Sequence, residues 1–178
     1  MMSLGYSYTD FHFDLSGSSA WLYVHSGAKI FYFVEPTDSN LNLYQRESKD
    51  SNRIFFPGLV HNGCRQVTVS TVQLLVIPGG WIHGVYTQED TIAVGGNFLH
   101  SGAIQMQIKC QRLELQSEDV TSDDFLFPHF RDLHSKFLDL PTPNPTNEQQ
   151  KQDAACITSF LKDFPLVKKK KRDSKGDH

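Results

Sequence analysis

Up to about residue 98 the apolar positions fall in short runs rather than in a helical rhythm. Residues 19–25, 29–34, 66–69, 74–77 and 91–94 are dense in β-branched and aromatic side chains, and Gly, Pro, Asn or Ser punctuates the gaps. This pattern predicts an antiparallel sandwich or barrel. Residues 37–52 are polar and rich in Ser and Asn, and they read as a surface insertion. After Gly95, Gly96 and Asn97 the period changes. Ile104, Ile108, Leu113 and Leu115 recur at roughly helical spacing, as do Phe127, Phe130, Leu133 and Phe137 within 125–140. Pro141, Pro143 and Pro145 then break the chain, Thr146 and residues 148–150 resemble a helix start, and a last helix is expected to run to about Phe164. The helices are expected on one side of the sheet, and no internal repeat is visible.

With 178 residues, 39% of them hydrophobic, the chain can bury one substantial core, and a single domain is expected. Cys64, Cys110 and Cys156 are odd in number and widely spaced, which argues against a disulfide framework or a zinc ribbon and fits a reducing compartment. No apolar run approaches the roughly 20 residues that span a bilayer, and residues 1–5 lack the flank of a signal peptide. The formal net charge of −3 is unevenly spread: residues 165–178 hold six basic and two acidic side chains, leaving 11 basic against 18 acidic in residues 1–164. An acidic body suits a cationic polypeptide substrate. The run Lys168, Lys169, Lys170, Lys171, Arg172 suits nucleic-acid contact or nuclear import, and equally a solvated, disordered terminus.

The candidate chemistry lies at Thr9-Asp10-Phe11-His12-Phe13-Asp14. On a strand, i and i+2 share a face, so His12 and Asp14 are expected to project into one cavity while Phe11 and Phe13 pack behind them. His83, directly after Pro78-Gly79-Gly80-Trp81-Ile82, is placed to complete a set of two histidines and one carboxylate, the facial arrangement of non-haem Fe(II) oxygenases. Each piece alone is weak: in a chain with eight histidines, an HxD pair also reads as a strand histidine beside a surface carboxylate, and His83 as a loop residue.

Six segments in order carry more weight. Residues 8–14, Gly17 to Trp21 by way of Ser18, Ser19 and Ala20, residues 26–32, Glu35-Pro36-Thr37, residues 77–83, and Gly95-Gly96-Asn97-Phe98-Leu99-His100-Ser101 together resemble the JmjC-domain oxygenases, within them the histone lysine demethylases that carry F-box/CXXC or PHD-finger modules. The resemblance covers about residues 2–140. It implies a mainly β fold with C-terminal helices, built on a double-stranded β-helix, the cupin-like jelly roll. It also implies an Fe(II) centre ligated by His12, Asp14 and His83, and a 2-oxoglutarate cosubstrate whose distal carboxylate is held by Thr9 and Lys29. With O2, such a centre removes N-methyl groups from lysine by hydroxylation and formaldehyde release. A methylated histone H3 tail or a similar basic peptide is the implied partner, with nuclear localisation, and no residue beyond the metal centre is needed as acid, base or nucleophile.

Expected organisation follows: a catalytic core over 1–140 lacking the segment that precedes it in relatives, a helical extension over 141–164 and a basic disordered tail over 165–178. A chain lacking that segment is expected to expose a sheet edge and an apolar patch. One position departs from the pattern. Where relatives place a cosubstrate-binding tyrosine after the strand tryptophan, this chain has Leu22, and alternation turns the adjacent Tyr23 to the opposite face. Losing one hydrogen bond to a charged group costs about 1.5–3 kcal/mol, roughly ten- to a hundred-fold in affinity. Three other readings share some of these residues: a JmjC protein hydroxylase of a non-histone substrate, a non-catalytic chromatin-binding module and a generic cupin-type metal protein.

Overall fold

The computed structural model of the chain describes residues 1–48, 58, 61, 63–116, 127–140 and 147–164, which fall into two compact units, Met1–Phe130 and Arg131–His178. The basic run at 168–172, the proline break at 141–145 and Thr146 lie outside the described residues.

Among the described residues the first unit holds eight strands: β1 (Met2–Ser3), β2 (Tyr8–His12), β3 (Ser19–Ser26), β4 (Ala28–Val34), β5 (Arg65–Ser70), β6 (Gln73–Ile77), β7 (Ile82–Thr87) and β8 (Thr91–Phe98). They form two four-stranded antiparallel sheets of order β1-β8-β3-β6 and β2-β7-β4-β5. Consecutive strands mostly alternate between the sheets, which is the jelly roll, two Greek keys folded face to face. The expected fold class is therefore the observed one. All five apolar runs are strands. The reading of residues 77–83 missed β7, because Gly84 interrupts its apolar pattern and the preceding Pro-Gly-Gly looked like the dominant local signal.

The core between the sheets contains Leu22, Val24, Phe31, Phe33, Val69, Ile77 and Ala93. Strand alternation produces it: Leu22 and Val24 are buried while Trp21 and His25 beside them are exposed. Each fully buried Leu or Phe contributes about 1.5–3 kcal/mol. A second cluster joins Phe11, Phe13, Val34 and Ile82 to Leu41 and Cys110 of two helices, α1 (Asp38–Ser48) and α2 (Ile104–Gln116).

Over residues 37–48 the helix α1 corrects the expectation of a surface insertion at 37–52; residues 49–52 lie outside the described residues. The Thr37 hydroxyl accepts from the Asn40 amide at 3.2 Å and caps the helix, and Leu41 is 1% exposed in the core. One leucine facing inward among mostly polar residues anchors a helix that mean polarity conceals. The expected helix at 104–115 appears as α2, and that at 125–140 appears as the shorter α3 (Phe130–Asp139): residues 127–129 are not helical, and 125 and 126 lie outside the described residues. In the second unit α4 (Glu148–Asp163) begins at Asn147, whose side chain accepts from the Gln150 amide, and the Arg131 guanidinium lies 5.5 Å from the centre of the Phe160 ring.

The outward positions of the sheet β1-β8-β3-β6 are mostly apolar. Trp21, Leu74, Val76, Ile92, Val94 and Phe98 are all exposed there, with Trp21 opposite Val76 on β6. The expected apolar patch is thus present, and β6 forms one edge of its sheet. Leu74→Lys, which charges this edge without touching the core, should reduce aggregation on heating while shifting stability by no more than about 0.5 kcal/mol. Light scattering and a denaturant titration on the same sample would check both; a larger loss of stability would mean that Leu74 packs against something.

Candidate metal centre

The sheet β2-β7-β4-β5 forms the floor of the candidate site. Along β7 the residues His83, Val85 and Thr87 alternate onto the inner face, opposite Phe33, Phe31 and Lys29 of β4. On the other side of β7, His12 pairs with His83 and Thr9 with Val85. Thr9 and His12 are three residues apart and would face opposite ways on a regular strand. A register shift between them inserts one residue, and both side chains line the same cavity.

That cavity has a volume of about 410 Å³ and contains His12, Asp14 and His83 together with Thr9, Lys29 and Leu22. His12, Asp14 and His83 each offer one ligand atom, and these atoms lie within 4.8 Å of one another. The imidazole centres of His12 and His83 are 4.4 Å apart, and His83 Nε2 stands 4.0 Å from Asp14 Oδ2, too far for a hydrogen bond. Asp14 differs in one respect from the expectation of a strand pair: β2 ends at His12, and Asp14 sits at the start of a tight 3-10 turn, Leu15–Gly17, in extended conformation. Phe11 and Phe13 do pack behind, each 8% exposed.

Backbone carbonyls set the tautomer of both histidines. His12 Nδ1 lies 2.9 Å from the Asp10 oxygen and His83 Nδ1 lies 3.0 Å from the Trp81 oxygen. A carbonyl only accepts, so Nδ1 carries the proton in each ring and the Nε2 lone pair is left for a metal. Burial, followed by the neighbouring His12, lowers the His83 pKa from its ordinary value, which favours the neutral imidazole over the charged form. Two oriented nitrogen donors and one carboxylate fit a divalent cation.

The turn before β7 fixes where His83 starts. Gly80 has φ +78, and a Cβ there would come within 2.5 Å of Met106 on α2; one on Gly79 would meet the Gly17 carbonyl at 2.5 Å. Only glycine permits both the left-handed backbone and the close approach.

Lys29 occupies the far end of the floor. It is 4% exposed, and its Nζ donates to the Ser3 and Thr87 hydroxyls at 2.9 Å each. Among the described residues its hydrogen-bond partners are these two neutral groups, and no carboxylate is with them. Burial lowers its pKa. A buried ammonium held by hydroxyls alone is incompletely compensated, and an anionic ligand group in the cavity would complete it. The resemblance to the JmjC oxygenases singles out Lys29 and Thr9 but not Ser3 and Thr87. Thr87 was findable, because alternation from His83 reaches it in two steps once β7 is recognised; the two-residue strand holding Ser3 left no signal. Leu22, 8% exposed, presents an apolar side chain to the cavity.

No protein-family model matches the chain. Curated proteins do. Lysine-specific demethylase 7A of Danio rerio is 42% identical over 132 residues, 73% of this chain and 15% of that protein. Histone lysine demethylase PHF8 of Danio rerio is 45% identical over 132 residues, 73% of this chain and 12% of that protein. JmjC domain-containing histone demethylation protein 1 of Caenorhabditis elegans is 40% identical over 114 residues, 64% of this chain and 11% of that protein. The chain therefore spans less than a sixth of the length of these relatives. Among solved structures, a single-substitution variant of oxalate decarboxylase from Bacillus subtilis matches 53% of this chain and 19% of its own at TM-score 0.36 and 12% identity.

Gly80→Ala should destabilise the protein by about 2 kcal/mol or more, since it adds both left-handed strain and a steric overlap with Met106. Chemical denaturation would measure it. An unchanged midpoint would show that α2 yields to the added methyl and that the turn does not fix His83.

Proposed function

Because the chain belongs, over the residues it shares with these lysine demethylases, to the JmjC-domain family, we propose that it is an Fe(II)- and 2-oxoglutarate-dependent lysine demethylase core. In this reading His12, Asp14 and His83 hold the iron, and Thr9 and Lys29 hold the distal carboxylate of 2-oxoglutarate. When bound, the iron would activate O2, the oxidant, with one oxygen atom and two electrons accounted for by oxidation of 2-oxoglutarate to succinate and CO2 and the other oxygen atom hydroxylating an N-methyl group, whose carbon is then released as formaldehyde.

The observation that carries the proposal is the pairing, in one cavity, of three ligand atoms within 4.8 Å and a buried lysine steadied by two neutral hydroxyls. The donors suit a metal, and the lysine suits a carboxylate reaching towards it. Ser3 and Thr87 fix the Lys29 ammonium in place before any ligand arrives, so little side-chain freedom remains to be lost on binding. Phe31, Ile77 and Val85 line the same cavity and limit water there, which strengthens a charge-assisted contact. Leu22 contributes no hydroxyl, so Thr9 and Lys29 carry the cosubstrate contact without it.

Substrate and place are part of the same proposal. The excess of acidic over basic side chains in residues 1–164 favours a cationic peptide such as a methylated histone H3 tail, in the nucleus, and Lys168 to Arg172 would add nucleic-acid contact. The expected division into a core over 1–140, a helical extension and a basic tail is carried forward in this reading.

Anaerobic titration of Fe(II) and then 2-oxoglutarate should saturate, and admitting O2 with methylated histone peptides should yield formaldehyde and demethylated peptide by mass spectrometry. His12→Ala should abolish both. Saturation followed by a stable hydroxylated peptide would indicate a protein hydroxylase, and saturation without turnover a non-catalytic chromatin-binding module. Leu22→Tyr should tighten 2-oxoglutarate binding about ten-fold or more, by restoring a hydroxyl donor to a charged ligand. An unchanged dissociation constant in calorimetry would place the cosubstrate away from Leu22.

A further inference from the structure

One carboxylate of α2 reaches the turn that follows Asp14. Both oxygens of Glu114 accept from the backbone N–H of Ser16, at 3.0 and 3.1 Å. Ser16 is wholly buried and sits at φ 53 and ψ 30, a left-handed conformation that costs a serine on the order of 1 kcal/mol. The same turn is closed by the Gly17 N–H donating to the Asp14 carbonyl at 2.8 Å, and the Ser16 hydroxyl accepts from the Phe127 N–H at 2.9 Å. A Cβ on Gly17 would lie 2.7 Å from that of Cys110, so the helix is pressed directly onto the turn.

A carboxylate in this position is costly. Burial raises the Glu114 pKa to about 7, against the opposing effect of the Ser16 N–H, and burial first and Glu114 second raise the Cys110 thiol to about 12. An apolar side chain would avoid the penalty but would leave the buried Ser16 N–H without an acceptor. The turn it secures begins at the one oxygen donor of the candidate metal set, whose backbone has already left β2 and has no strand partner to hold it.

We propose that Glu114 is a positioning residue for the metal centre: by clamping the Ser16 N–H it fixes the turn that aims the Asp14 carboxylate between His12 and His83. This rests on the reading of those three residues as metal ligands. Glu114 itself contacts no metal.

The test is Co(II) binding to the full chain, read from the visible absorption of the bound ion, with a thermal melt of each variant. Wild type should bind and His12→Ala should not. Glu114→Met, which fills the volume but accepts no hydrogen bond, should bind about 10- to 100-fold more weakly with an altered spectrum, the usual loss when a ligand's supporting partner is removed. Glu114→Gln keeps one oxygen for Ser16 and should recover affinity to within about three-fold of wild type. Ile157→Ala, a core truncation in the second unit, should lower the melting temperature and leave Co(II) affinity unchanged. If Glu114→Met does not fold, Glu114→Ala takes its place with the same expectation. A folded apolar variant that binds Co(II) as tightly as wild type, or an equal loss in Ile157→Ala, overturns the proposal and leaves the metal reading standing. Absence of Co(II) binding by wild type overturns the metal reading itself.

Discussion

The pairing of β2 with β7 governs the rest of the site. It sets His12 opposite His83, and its one-residue irregularity lets Thr9 face the same cavity as His12 although they are three positions apart. On a regular ladder, moving Thr9 inward would have turned His12 outward, since the side-chain period is two. The neighbouring pairing of β7 with β4 then sets Phe33 beside His83 and Lys29 beside Thr87, so one sheet carries the histidines at one end and the lysine at the other. Four residues of strand, about 13 Å, separate those ends.

The two histidines, Lys29 and Glu114 enter this interior with hydrogen-bond partners. The histidines commit their Nδ1 protons to carbonyls two residues upstream, the lysine is steadied by two hydroxyls, and Glu114 is buried against the Ser16 amide. The first two arrangements each leave one thing unfinished, a pair of nitrogen lone pairs at one end and an uncompensated cation at the other. In the proposed reading a metal and a dicarboxylate would answer those two needs together, and the apolar wall between them would raise the value of both contacts. Stability is supplied by the inter-sheet core and by the cluster that joins Phe11 and Phe13 to the helices.

The two faces of the jelly roll are treated differently. Helices α1 and α2 contribute Leu41 and Cys110 to the cluster that covers Phe11, Val34 and Ile82, whereas the outward side of the other sheet shows Trp21, Leu74, Val76 and Ile92 to solvent. Burial on one face only is enough for a sheet to persist, because the inner face alone supplies the hydrophobic gain, but the exposed face remains available for association.

Residue identity and short-range pattern determined most of the strands in the first hundred residues, the later helices, and the candidacy of His12, Asp14 and His83, while Thr9 and Lys29 were implied only by the family resemblance. These properties are local: alternation, punctuation by glycine and proline, and the chemistry of individual side chains are all written within a few residues. The strand β7 and the helix α1 were missed because Gly84 blurs one local pattern and polarity the other, while the burial that stabilises them comes from distant partners. Register, the irregularity in β2, the approach of Ser3 and Thr87 to Lys29, and the reach of Glu114 across 98 positions to Ser16 were decided only by tertiary structure. Each depends on which backbone atoms meet after the chain has folded back on itself, and that meeting is fixed by the packing of two sheets rather than by any neighbouring residue.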